Sequence, residues 1–190
     1  MTAPTIVPPM TRWKVTVGDY HRMAAAGYFA GSRVELIEGE IVELNALGGQ
    51  HIRCVALLSR WLDRAVGDDL FVSAQSSIRL NDRSEPEPDI VVLSALPEGA
   101  APPSPEDVLL VVEVSDTSLA ADRDVKAPLY AQARIPLMLL VDLQQATVSL
   151  YAQPGADGYR TRTTYGAGER LVFNLEKSIT IDINVDSLFA

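Results

Sequence analysis

Between Val108 and Val114 the chain reads Val-Leu-Leu-Val-Val-Glu-Val, an aliphatic run broken once by a carboxylate. Such continuity marks a strand covered on both faces, because a half-exposed strand alternates apolar with polar residues. The run therefore asks for a sheet with layers above and below it, and it belongs at the sheet's centre. A chain of 190 residues, 47% of them hydrophobic, has the material for one such domain with a substantial core.

The flanking segments alternate between helical and extended periodicity. Thr16 and Asp19 have capping-box-like spacing ahead of Tyr20, Met23 and Ala24 to Ala26, and Gly27 stands where a helix stops, which predicts a short first helix. Val34 to Leu44 reads as a hairpin turning at Glu38-Gly39. Within Gln50 to Val66, Val55, Leu58, Leu62 and Ala65 recur at three- and four-residue intervals and predict the main amphipathic helix. Leu70 to Ser73, Ser77 to Leu80 and Asp89 to Leu93 read as strands, with a polar, proline-rich loop at Asn81 to Pro88. Leu96 to Pro105 reads as a surface connection. After the central strand, Asp122 to Ala133 predicts a helix that Pro128 must kink or restart. Leu137 to Leu143 and Thr147 to Tyr151 form a strand pair, followed by short strands at Tyr159 to Thr164, Leu171 to Phe173 and Ile179 to Ile181. The pattern is α/β, a mixed β-sheet flanked by helices with additional β-strands. Residues 1–12, with three prolines before the first charge at Arg12, read as a flexible tail, and 13–190 as one domain.

No apolar stretch approaches the roughly 20 residues that cross a bilayer, and the opening residues lack the basic start of a secretory signal. The single cysteine, Cys54, cannot form an intrachain disulfide. These features predict a cytoplasmic protein without a membrane span. The formal charge of −9, from 25 acids against 16 bases, opposes polyanions at long range. Acids gather around Asp82 to Asp89 and Asp116 to Asp124, however, where bound cations would neutralise them locally. No GxGxxG or GxxxxGK[ST] loop is present, so nucleotide binding of those kinds has no support.

Glu113 is the strongest local anomaly. Period-two alternation sets it on one face with Leu109 and Val111, and a carboxylate in a core is costly unless paired, hydrogen-bonded or bound to metal. Two readings stay open: an exposed strand end with an arginine partner, or a ligand site at the mouth of an α/β sheet. Asp89 leads the strand Ile90 to Leu93 and says little alone. Converging with Glu113, it would supply oxygen ligands for Mg²⁺ or Mn²⁺, which bind phosphate oxygens and activate water. Lys126, four residues after Asp122, reads as an ordinary helix ion pair worth roughly 0.3–0.5 kcal/mol. His51 at the head of the amphipathic helix reads as a cap or a packed side chain, and Glu35 as a solvated strand residue.

Several segments stand in a specific order: Glu35-Leu36-Ile37-Glu38-Gly39-Glu40-Ile41-Val42, His51 opening a helix, Ser84-Glu85-Pro86-Glu87-Pro88-Asp89-Ile90-Val91-Val92, and Val111-Val112-Glu113-Val114-Ser115. They continue through Asp122 with Lys126, Leu129-Tyr130-Ala131, and Ile135-Pro136 leading into Leu140-Val141-Asp142-Leu143. In this order they resemble the Uma family, a large bacterial family of restriction-endonuclease-like proteins with the PD-(D/E)XK fold, from about Thr16 to Phe189. The resemblance implies that Pro88-Asp89 and Glu113 are the motif's proline–aspartate and second acid, with the Val114 carbonyl as a further metal ligand. The motif's lysine position holds Ser115, and the resemblance implies that Lys126 takes over that role, with Glu35 and His51 as additional site residues. The stretch Arg134-Ile135-Pro136-Leu137-Met138-Leu139 lacks the glycine, acid and tryptophan common in the family.

Two functions follow. One is a Mg²⁺- or Mn²⁺-dependent endonuclease hydrolysing phosphodiester bonds in DNA, in which Asp89 and Glu113 hold the metal and Lys126 stabilises charge on the scissile phosphate. The other is a catalytically degenerate member of the fold serving as a binding or assembly module. A homodimer is also expected, with Leu137-Met138-Leu139-Leu140 as its apolar partner surface.

Overall fold

The computed structural model describes residues 11–97, 99, 101–176 and 179–189, so most of the expected tail lies outside the described residues. Helix α1 (Val17–Ala25) starts at the Thr16 and Asp19 capping box, and strands β1 (Val34–Ile37) and β2 (Glu40–Glu43) form the expected hairpin. Its turn places Glu38 and Gly39 at φ 49° and 77°, the double positive φ of the tight turns that match strand twist. Helix α2 (Gly49–Val66) is the amphipathic one. Strands β3 (Phe71–Ala74), β4 (Ile90–Leu93), β5 (Val108–Ser115), β6 (Leu137–Asp142), β7 (Thr147–Gly155) and β8 (Gly158–Tyr165) make one six-stranded sheet in that order. β9 (Arg170–Asn174) and β10 (Thr180–Asn184) form a separate pair, and α5 (Asp186–Phe189) follows.

As the aliphatic run demands, every residue of β5 is buried, and the strand lies inside the sheet with β4 antiparallel on one side and β6 parallel on the other. Two cores cover it. On one face Cys54, Leu58 and Leu62 of α2 pack on Ile90, Val92, Leu110 and Val112, joined by Leu171 and Phe173 of β9 and Ile181 and Ile183 of β10. On the other, Ala127, Leu129 and Tyr130 pack on Val91, Val111, Met138 and Leu140. A parallel pair requires a crossover, and here it is helical: α3 (Leu119–Ala121), a π-turn (Asp122–Lys126) and α4 (Ala127–Gln132).

Four expectations change. The β4 and β5 register slips between Val92 and Leu93, which pair with Leu110 and Val108, so Leu109 is bulged out of alternation and joins the α2 core while Val111 stays on Glu113's face. Ser77 to Leu80 is not a strand. Its amides are consumed by the proline-rich connections, Ile78 N–H donating to the Pro86 carbonyl and Arg79 N–H to that of Pro103. The Pro128 irregularity becomes a π-turn rather than a break: Ala127 N–H donates to the Asp122 carbonyl, five residues back, which widens the ladder where proline lacks a donor. Leu137 to Leu140 is interior strand, with Met138 and Leu139 fully buried between β5 and β7, so it offers no surface to a second copy.

Candidate functional site

The β4 and β5 pairing of Ile90 with Val112 runs one step further to set Asp89 across from Glu113 on the crossover-helix face. Asp89 is fixed at both oxygens. Its Oδ2 accepts the Val114 N–H at 2.7 Å, and its Oδ1 stands 3.0 Å from His51 Nε2 in the first turn of α2. His51 is thus neither a cap nor mere packing: it is buried against the aspartate, and its Nδ1 has no hydrogen-bond partner among the described residues.

Glu113 is 3% exposed, which removes the solvated-strand-end reading and its arginine. Its Oε1 accepts the Tyr130 hydroxyl at 2.6 Å and lies 3.4 Å from Lys126 Nζ. The same ammonium stands 3.0 Å from Glu35 Oε2 and 3.7 Å from Asp122 Oδ1. Glu35 is therefore a buried partner of Lys126 rather than a solvated residue, and it also accepts the Glu87 N–H at 3.2 Å. The Asp122 and Lys126 helix pair exists, yet both side chains are buried and point into the cluster, so the surface-pair value does not apply. Ser115, at the motif's lysine position, donates its hydroxyl to Asp122 Oδ2 at 2.8 Å, and Ser118 does so at 2.6 Å. The serine steadies the aspartate that pairs with Lys126.

Burial pushes the Glu113 carboxyl well above the usual carboxylate range, and the charges of Asp122 and Asp89 add to the rise against Lys126 and Tyr130. Burial works against the Lys126 charge as well, but Glu113, Glu35 and Asp122 outweigh it and hold the ammonium above the ordinary lysine value. Tyr130 is raised by burial and by Glu113, so it remains a proton donor to that carboxylate.

Glu35, His51, Asp89, Glu113, Asp122 and Lys126 line a cleft of about 330 Å³, where, among the described residues, seven carboxylates face only two permanent cations, Lys126 and Arg33. Arg33 is already paired with Glu87. Among the described residues no three His, Cys, Asp or Glu side chains form a ready metal cage. Mg²⁺, however, is commonly held by one or two carboxylates with water completing its shell. Asp89 and Glu113, adjacent and rich in hard oxygen donors, suit that mode. Asp89, Glu113, Lys126, Glu35 and His51 thus all meet in one cleft, with Val114 between the two acids. Sequence reasoning missed Tyr130 and the serine clamp on Asp122. The signal for Tyr130 was its place four residues after Lys126, one helical turn along the same face.

Comparison with known proteins bears on the fold and the family. A structure described as a putative nuclease belonging to DUF820, from Anabaena variabilis, superposes with a TM-score of 0.70, covering 92% of this chain and 97% of that one at 14% identity. At that identity the likeness shows the fold. No curated protein matches. The model of the Uma2 family, described as "putative restriction endonuclease", matches residues 17–184, and the chain belongs to that family.

Proposed function

We propose that this chain is a metal-dependent endonuclease acting on DNA in the cytoplasm, with Asp89, Glu113 and the Val114 carbonyl holding Mg²⁺ or Mn²⁺. The observation that carries the reading is a buried Glu113 beside Asp89, in a carboxylate-rich cleft with the Lys126 ammonium at 3.4 Å. Bound there, the metal would bring a phosphate oxygen into an acidic cleft and lower the pKa of a water molecule. The chain's own groups do the rest. His51 and the Val114 amide orient Asp89, Tyr130 fixes one Glu113 oxygen, and Lys126 supplies the cation that offsets charge building on the phosphate. Glu35 and Asp122 keep that ammonium charged and in place.

One observation favours the alternative, a binding or assembly module: Lys126 is already engaged by three carboxylates and reaches phosphate only if one lets go. Mn²⁺ titration by calorimetry, together with plasmid nicking, separates the readings. The endonuclease binds Mn²⁺ and nicks, whereas Asp89→Asn and Glu113→Gln do neither; equal Mn²⁺ binding by all three proteins removes the site. Cutting both strands of a duplex calls for two such sites, so the proposal includes a homodimer, through a surface other than β6. Light scattering that shows only a 20.6 kDa species at micromolar concentration excludes the dimer.

A further inference from the structure

The proposed substrate carries a phosphate on every nucleotide, yet the cleft is strongly acidic, so positive charge must be sought nearby. A second, smaller cleft of about 180 Å³ lies on the other flank of the crossover helix, between that helix and the β6, β7 and β8 strands. Asp122 and Lys126 face the first cleft, whereas Leu119 and Arg123 of the same helical stretch line the second. Arg162 of β8 is its main cation. Its guanidinium stacks 5.4 Å from the centre of the Tyr151 ring, and Nε and Nη2 both donate to Ser149 Oγ at 3.3 Å. Among the described residues no carboxylate lies within ion-pair distance of Arg162, unlike Arg123, which Asp124 grips through two nitrogens.

Proton accounting shows what this cleft lacks. Ser149 Oγ accepts twice from Arg162, so its own proton goes to Thr164 Oγ1 at 2.8 Å. Among the described residues, that leaves the Thr164 hydroxyl proton and the outer guanidinium edge of Arg162 as donors without acceptors. Asp142, the one acid in the lining, is turned to the backbone, its Oδ1 accepting the Gln144 and Gln145 amides at 3.0 Å. A stacked arginine with a free two-donor edge beside a free hydroxyl proton is complementary to a phosphodiester oxygen pair.

We propose that the Arg162, Ser149 and Thr164 cleft is a backbone-phosphate subsite that holds the DNA strand beside the cutting site. It rests on the endonuclease reading. A helix is roughly 10 Å across, so the phosphate the subsite holds is not the one in the acidic cleft but that of another nucleotide on the same strand. The subsite carries no base specificity, since a phosphate contact sets register and orientation only.

The test is fluorescence-anisotropy binding of a labelled DNA duplex to the wild-type protein in Ca²⁺, which takes the same oxygen ligands as Mg²⁺, with and without Arg162→Ala, over a salt series. Arg162 is exposed on an edge strand, so its loss is compatible with folding, which circular dichroism checks. The expected result is binding weakened about tenfold, with the salt slope reduced by about one. Arg162→Lys should restore the slope but only part of the affinity, because it keeps the charge and loses the fork. Binding of the parent that Arg162→Ala leaves unchanged in affinity and slope overturns the subsite alone. A parent that binds no DNA overturns both the subsite and the endonuclease reading. Inorganic phosphate is the second probe: if it shifts the Ser149 and Thr164 amide resonances while DNA does not, the cleft takes a free phosphate and the nucleic-acid assignment is wrong.

Discussion

Replacing Lys126 with alanine is expected to cost about 3–5 kcal/mol of folding stability, the scale of breaking a buried ion cluster by removing one side of it. The side chain is 9% exposed and stands among Glu35, Glu113 and Asp122, themselves 3%, 4% and 5% exposed, so water cannot replace the lost ammonium. For a chain of this size each kcal/mol is worth roughly 2–4 °C in Tm. Chemical denaturation should therefore show a large loss, and adding Glu35→Gln to the alanine variant should recover part of it by removing one stranded charge. A loss below about 1 kcal/mol, against the buried-cluster scale, would show that the ammonium is not what neutralises the cluster. The same substitution should slow plasmid nicking on the order of a hundredfold, the effect of about 3 kcal/mol withdrawn from the transition state. Lys126 therefore has two effects to separate, and nicking must be compared at a temperature where the variant remains folded.

The layers of this fold were legible because its strongest patterns are set by burial. The β5 run could only be a covered strand, and the three- and four-residue spacing of Val55, Leu58 and Leu62 could only be a helix lying on a sheet. What alternation could not show was the one-residue slip opposite Leu93, because a bulge is fixed by the partner strand and leaves no mark on Leu109 itself. The fate of Ser77 to Leu80 was hidden for a related reason: its alternation suits a strand, but the neighbouring backbone it meets is a proline-rich loop. Pro128 announced an irregularity without saying that the helix would absorb it in one wide turn.

The candidate site was legible only in combination. Each of Asp89, Glu35, His51 and Lys126 has an ordinary reading by itself. The fold supplies what the residues lack alone: β4 and β5 pairing brings Asp89 to Glu113, the start of α2 brings His51 to Asp89, and the π-turn brings Lys126 to Glu35. Glu35 illustrates the limit. Its neighbours in the hairpin are acids that face water, and nothing local marks it as the one buried beneath the loop that carries Glu87. Ser115 is the converse, a residue that looks like the loss of a lysine and proves to hold Asp122, one of the carboxylates around Lys126.

Glu113→Gln separates the acid's chemical role from its structural one, because the amide keeps the shape and a carbonyl acceptor for Tyr130 but carries no charge. In the wild type, burial is the main cause holding the Glu113 carboxyl well above the usual carboxylate range. A raised pKa means that above about pH 4.5 the native state holds more protons at this position than the unfolded chain. The stabilising contribution is therefore complete below that pH and is lost as pH rises through the folded value. The glutamine has no proton to lose, so the variant should be at least as stable as wild type at pH 8 without metal, and its advantage should shrink toward pH 5. Lys126 keeps Glu35 and Asp122 as partners in the variant, which limits any compensating loss. Mn²⁺ should reverse the order. At a concentration a hundred times its Kd a ligand adds about 2.7 kcal/mol to the state that binds it, so wild type should gain several degrees in Tm and the variant none. Nicking should fall on the order of a thousandfold, about 4 kcal/mol of barrier. A variant that melts lower than wild type at pH 8 without metal would show that the Glu113 charge stabilises the fold. A variant that still gains Tm from Mn²⁺ would place the metal elsewhere.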